Sequence, residues 1–168
     1  LKLRLSSEIQ LFSRLNLQAI DATNIDPGDN PETVVNKLVA MTLLSIEETG
    51  NLLSVESLKR AASLMLGAAR VDLYGVGASS LVAIDATYKF MRLGKDVFHY
   101  QLYDRQYVQA VNSKEDSVAV VISYTGETEF ILKLVDILRD RGTPIIAITG
   151  NGASALSRKA DVNLYVPP

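Results

Sequence analysis

Five short apolar runs, near residues 71–75, 96–100, 117–123, 144–149 and 162–166, alternate with stretches of helical spacing near 79–93, 104–112, 128–141 and 153–158. No other feature limits the fold so tightly. A run such as Val118-Ala119-Val120-Val121-Ile122 is continuously apolar, as a strand buried on both faces of a parallel sheet is. Parallel neighbours need crossover connections, and the intervening helical patterns supply them. The pattern predicts an α/β fold, a three-layer doubly wound sheet of about five parallel strands. Asp140-Arg141-Gly142-Thr143-Pro144 reads as a helix stop followed at once by the next strand.

The first seventy residues read differently. Residues 2–20 carry helical spacing through Leu5, Ile9, Phe12 and Leu15. Asp26-Pro27-Gly28-Asp29-Asn30-Pro31 is rich in turn formers and has no apolar anchor, so it reads as a linker. Pro31 and Glu32 open a helix whose expected buried stripe is Val35, Leu38, Val39, Thr42, Leu43 and Ile46, ending near Gly50. Ser54 is placed to cap a further helix that closes at Gly67.

Bulk composition excludes several classes. The 168 residues are 48% hydrophobic, enough for one well-packed domain. The net charge of −2 gives no overall attraction for nucleic acid. Zero cysteines and a single histidine, His99, leave no disulfide and no obvious metal site. No apolar run approaches the roughly 18–20 residues of a membrane span, and Leu1-Lys2-Leu3-Arg4-Leu5 is not a signal peptide. These traits suit a cytoplasmic protein with no membrane partner.

Two strand-to-helix junctions carry the chemistry. Ser123-Tyr124-Thr125-Gly126-Glu127-Thr128 follows the third apolar run and precedes a helix marked by Phe130, Ile131, Leu134, Val135 and Leu138. A helix start offers unpaired N–H groups and the positive end of a dipole, so it suits an anion. The hydroxyls of Ser123, Thr125 and Thr128 add donors, and Gly126 allows close approach to a phosphate. Simple capping accounts for one hydroxyl and an acid, not for three hydroxyls in six residues. Glu127 either closes a cap or points into the site. Upstream, Gly75-Val76-Gly77-Ala78-Ser79-Ser80 follows the first run. Ser80 stands where a dinucleotide fingerprint needs glycine, Phe98-His99-Tyr100 offers no acid for a ribose, and no Gly-Lys-Ser/Thr triplet exists. What survives is a serine-rich helix start suited to hydroxyls or phosphate. No cofactor is implied.

Together the two junctions resemble the paired signatures of the SIS (sugar isomerase) domain, whose members bind phosphorylated sugars on a flavodoxin-like sheet. The fit is nearest to the RpiR family of bacterial transcriptional regulators, supported also by Lys89-Phe90-Met91-Arg92-Leu93-Gly94-Lys95 and Ala160-Asp161-Val162. The resemblance covers roughly residues 31–168. It implies Ser123, Thr125 and Thr128 as phosphate hydroxyls, with backbone N–H groups from Tyr124 through Gly126 to Glu127. It implies Ser79 and Ser80 as sugar contacts from the opposite turn. Thr125 stands where serine is commoner in the family. The resemblance also implies that residues 1–30 are a helical arm and linker, the tail of a helix-turn-helix domain that binds DNA. Residues 31–168 would be the SIS domain without the C-terminal segment that supplies a catalytic glutamate in related enzymes.

Two functions then compete: a sugar-phosphate sensor, and an aldose–ketose phosphate isomerase. Isomerisation needs a positioned general base and an acid. The nearby candidates are Glu127, His99 and Asp104, and none has a tuning partner in sequence, which favours the sensor. His99 reads as a packed histidine, Asp104 as ordinary helix-dipole chemistry, and Asp85 with Lys89 as a surface pair. Tyr88, Tyr100, Tyr103 and Tyr107 suit packing or a subunit contact, consistent with a homodimer of SIS type.

Overall fold

The computed structural model describes residues 24–167, so the helix expected at 2–20 lies outside the described residues. The chain divides into two compact units, one ending at Asn51 and the other beginning at Leu52.

In the first unit, α1 spans Pro31–Leu52. Asn30 Oδ1 accepts from the Thr33 N–H at 2.9 Å, which satisfies one of the orphan donors of the first turn, and Pro31 needs no partner there. The 26–31 segment has the anchor its composition conceals. Lys37 Nζ reaches Asp26 Oδ2 at 3.0 Å and Asp29 Oδ2 at 2.8 Å, tying the turn to the helix by charge. The expected buried stripe is not buried. Val35, Leu38, Val39 and Ile46 are exposed, and the buried residues of α1 are Lys37 and Ala40. A helix cannot cover its own apolar face, and among the described residues this stripe stays exposed.

The second unit begins with α2 (Val55–Gly67), capped by Ser54, whose Oγ accepts from the Ser57 N–H at 3.2 Å. Strands and helices then alternate as β1 (Arg70–Tyr74), α3 (Ala78–Met91), β2 (Val97–His99), α4 (Tyr103–Val111), β3 (Ser117–Ile122), α5 (Glu129–Asp140), β4 (Ile145–Thr149), α6 (Ala155–Lys159) and β5 (Val162–Tyr165). All neighbours are parallel, in the order β2-β1-β3-β4-β5, with Tyr74 opposite Val121 and Ile122 opposite Ile148. The expected three-layer doubly wound sheet is what forms.

Strand periodicity sorts side chains to the two faces. Val71, Leu73, Val118, Val120 and Ile146 meet Ala61 of α2 and Ala83 of α3. Tyr74, Ala119, Val121, Ile145 and Ala147 meet α4, α5 and α6 on the other face. There α5 contributes Ile131, Leu134, Val135 and Leu138, an i, i+3, i+4, i+7 stripe that is buried throughout. Burying each such side chain contributes about 1.5–3 kcal/mol. The expected stop at 140–144 closes α5 with the Thr143 N–H on Leu138 O and the Gly142 N–H on Arg139 O.

One consequence places the site. β1 and β3 are adjacent at the centre of the sheet, but α3 and α5, which follow them, pack on opposite faces. The chain parts at the carboxyl ends of these two strands, where open α/β sheets bind ligands.

Candidate functional site

Both serine- and threonine-bearing turns leave the sheet at this parting. In the β3 turn the N–H groups of Gly126 and Glu127 are bonded within the turn itself, while others stay uncommitted. Gly126 turns the chain at φ 66°, and its N–H returns to Ser123 O at 3.1 Å. Thr128 takes the N-cap position of α5, yet its side chain makes no capping bond. Its Oγ1 lies 3.4 Å from Ser123 Oγ, so two hydroxyls converge above an open helix start. Among the described residues the N–H groups of Tyr124, Thr125 and Thr128 have no hydrogen-bond partner. Thr125 is exposed, and its Oγ1 accepts from the Glu127 N–H at 3.3 Å.

The β1 turn stands beside it. Gly77 is the N-cap of α3 at φ 57°, again without a side-chain cap, and Ser79 lies half-buried in the first turn. A Cβ at Gly75 would stand 2.9 Å from Ser79 O, so only glycine lets β1 pass this close to the start of α3. Tyr74, just before it, is fully buried; burial pushes its phenol well above the ordinary range and keeps it protonated.

The SIS-domain family model matches residues 64–168, most of the chain. The chain belongs to the SIS-domain family. It is 36% identical over 142 residues to a helix-turn-helix transcriptional regulator of Caldanaerobacter subterraneus, covering 84% of this chain and 50% of the relative. It is 30% identical over 140 residues to the regulator RpiR of Escherichia coli, covering 82% of this chain and 46% of that one. Both relatives are named as helix-turn-helix transcriptional regulators. The chain spans about half the length of the curated relatives it matches. In fold it is similar to the NanR protein of Vibrio vulnificus, solved in complex with ManNAc-6P, with a TM-score of 0.78 and 22% identity over 84% of this chain and 52% of that one.

Within this SIS domain the remaining sequence candidates divide. Glu127 Oε1 accepts from the Ala155 N–H at 2.8 Å, so the carboxylate closes the start of α6. Ser80 is buried, with Oγ 2.8 Å from His99 Nε2, while His99 Nδ1 lies 3.0 Å from Leu73 O. The carbonyl can only accept, so Nδ1 donates to it; in the neutral ring Nε2 then accepts from the Ser80 hydroxyl. His99 is the satisfied, packed residue its position suggested. Asp104 is exposed in the first turn of α4. Asp85 and Lys89 form the expected surface pair at 2.6 Å.

The supports behind the two turns were not among the sequence candidates. Thr149 Oγ1 donates to Tyr124 O at 3.2 Å, and the Gly150 N–H donates to the same oxygen at 2.9 Å. The Leu156 N–H donates to Gly126 O at 3.1 Å. Gln106 of α4 bonds to the backbone of Gly75. Gln106 and Gln109 are buried although polar, and two glutamines on the inner face of a helix are a signal that the sequence did contain.

An apolar concavity of about 490 Å³ lies elsewhere, between α2 and α3. It is lined by residues such as Leu58, Met65, Val82, Phe90, Val120 and Ile148. Its one charged lining residue, Lys95, donates to the carbonyls of Leu66 and Ala68, and the remaining apolar lining is poorly suited to a phosphate.

Proposed function

We propose that the SIS domain binds a phosphorylated sugar across the parting of β1 and β3 and serves as the effector domain of a helix-turn-helix transcriptional regulator. The convergence of Ser123 Oγ and Thr128 Oγ1 over the open start of α5 carries this reading. Hydroxyl donors, free N–H groups and a helix dipole suit a dianionic phosphate, and an apolar ligand would leave them all unpaired. Ser123, Thr125 and Thr128, with the backbone from Tyr124 to Glu127, hold the phosphate. Ser79 meets the sugar from the β1 turn, and Ser80 shapes that turn through His99. The regulators among the relatives, and a ManNAc-6P complex of a similar fold, support the class of ligand and the class of function.

The domain boundary is proposed at residues 30 and 31, with DNA bound through a helix-turn-helix domain of the whole protein. The protein acts as a cytoplasmic homodimer with no membrane partner. The exposed stripe of α1 and the exposed Tyr88, Tyr103 and Tyr107 suit a subunit contact. Among the described residues no single helix is long and apolar enough to cross a membrane.

Titration calorimetry with hexose and pentose phosphates, and with the same sugars lacking phosphate, tests the site. At least one sugar phosphate is expected to bind at least about tenfold more tightly than its parent sugar, because hydrogen bonds to a charged group are each worth about 1.5–3 kcal/mol. Equal binding of both forms overturns the reading. Light scattering on the same samples tests the dimer, and a monomer at micromolar concentration removes it.

A further inference from the structure

Gln106 has no solvent exposure and makes a reciprocal pair of hydrogen bonds to one peptide. Its Nε2 donates to Gly75 O at 3.0 Å, and its Oε1 accepts from the Gly75 N–H at 3.2 Å. A side-chain amide is a neutral group that both donates and accepts through fixed, separate atoms, so it can clamp a residue in this way. Gly75 is the first residue beyond β1, and Ser79 O occupies the space that a Cβ at Gly75 would need, so the two turns of chain are packed together at the start of α3. Whatever fixes Gly75 therefore fixes the turn that carries Ser79.

The β3 turn has a different set of supports. Its carbonyls at Tyr124 and Gly126 are held from the β4–α6 loop by Thr149, Gly150 and Leu156. Gln106 takes no part in those bonds. The two sides of the crevice are thus braced separately, one from α4 and one from the 149–156 segment. A ligand that bridges both sides needs both braces in register, whereas a small anion at the β3 turn needs only the second.

We propose that Gln106 is a positioning residue: it holds the β1 turn at the distance a sugar phosphate spans, and so sets the preference for sugar phosphate over free phosphate. This rests on the reading of the crevice as a sugar-phosphate site.

The test uses the full chain and its Gln106→Met and Gln106→Glu variants. Met fills a similar volume without the hydrogen bonds; Glu keeps an acceptor for the Gly75 N–H and loses the donor. Affinities for glucose 6-phosphate, ribose 5-phosphate, N-acetylmannosamine 6-phosphate and inorganic phosphate are measured by NMR titration, with amide exchange at Gly75. The wild type is expected to show slow exchange at Gly75 and a preference of at least about tenfold for one sugar phosphate over inorganic phosphate. In Gln106→Met that preference falls to within about threefold while inorganic phosphate binds as before, and Gln106→Glu lies between. An unchanged preference, or an equal fall in both affinities as a general loosening produces, overturns the role of Gln106. Fast exchange at Gly75 in the wild type overturns it even where a variant does not fold. A wild type that binds inorganic phosphate and no sugar phosphate overturns the crevice reading itself, whatever the exchange at Gly75.

Discussion

The Glu127 carboxylate accepts the Ala155 N–H at 2.8 Å, across 28 residues of sequence. An acid beside a ligand turn invites the role of general base, but this one is engaged in closing the short helix α6. His99 is similarly engaged, with both ring nitrogens bonded. No turnover of aldose or ketose phosphates above background is therefore expected by NMR. Glu127→Gln, which keeps an acceptor, is expected to melt near the wild type, and Glu127→Ala to lose about 1 kcal/mol as a lost helix cap does. Turnover that disappears in Glu127→Gln reverses this and names the base.

Ser123 and Thr128 are expected to be separable from the fold. Ser123→Ala and Thr128→Val are each expected to weaken sugar-phosphate binding at least tenfold, since a lost hydrogen bond to a charged group costs about 1.5–3 kcal/mol. Neither hydroxyl caps α5, so the melting temperature without ligand should barely move. Calorimetry that finds both variants binding like the wild type removes the assignment.

Gly126 is constrained twice. Its φ of 66° disfavours any side chain, and a Cβ there would stand 2.2 Å from the Oγ of the buried Ser154. Gly126→Ala is expected to cost about 1–3 kcal/mol or more in urea denaturation. Adding Ser154→Gly removes the Ser154 collision but leaves Thr149 Oγ1 at 3.0 Å and the backbone strain, and takes away the Ser154 cap of α6, so the double variant should recover only part of the loss. Full recovery shows that φ contributes nothing.

The Asp29–Lys37 tie predicts an acid limit for the turn before α1. The hydrogen bond from Lys37 holds the Asp29 carboxyl below its ordinary 3.8, and the bond to Asp29 raises Lys37 above its ordinary 10.5. A lowered acid stabilises above its unfolded value and ceases to as pH falls through the lowered one. A raised base stabilises below its unfolded value and ceases to as pH rises through the raised one. The tie thus holds between about pH 4 and pH 10. Amide exchange at Val34 should separate wild type from Asp29→Asn at pH 7 and no longer at pH 2. A difference that persists at pH 2 rules out the ion pair as its source.

The elements of the second unit were legible because each depends on local pattern. The apolar run 118–122 is buried along its whole length, and the stripe from Ile131 to Leu138 is the inner face of α5. Ser54 caps α2, and the 140–144 stop ends α5 where turn chemistry places it. The two strand-to-helix turns were legible for the same reason, since a helix start with hydroxyls and glycine is written in consecutive residues. The stripe of α1 was misread because amphipathicity states that a face needs a partner, not that one is present.

The sequence by itself determined a parallel α/β sheet and two hydroxyl-bearing turns, since periodicity and helix-start chemistry act over a few residues. Only the tertiary structure decided that β1 and β3 are neighbours, and hence that the two turns share one crevice. It also decided which polar groups are engaged inside the fold: Thr128 makes no capping bond, Glu127 closes α6, Ser80 turns to His99, and Gln106 clamps Gly75. Those pairings join residues 19 to 31 positions apart. A hydrogen bond is satisfied by whatever partner the fold brings within about 3 Å, and local spacing carries no record of it.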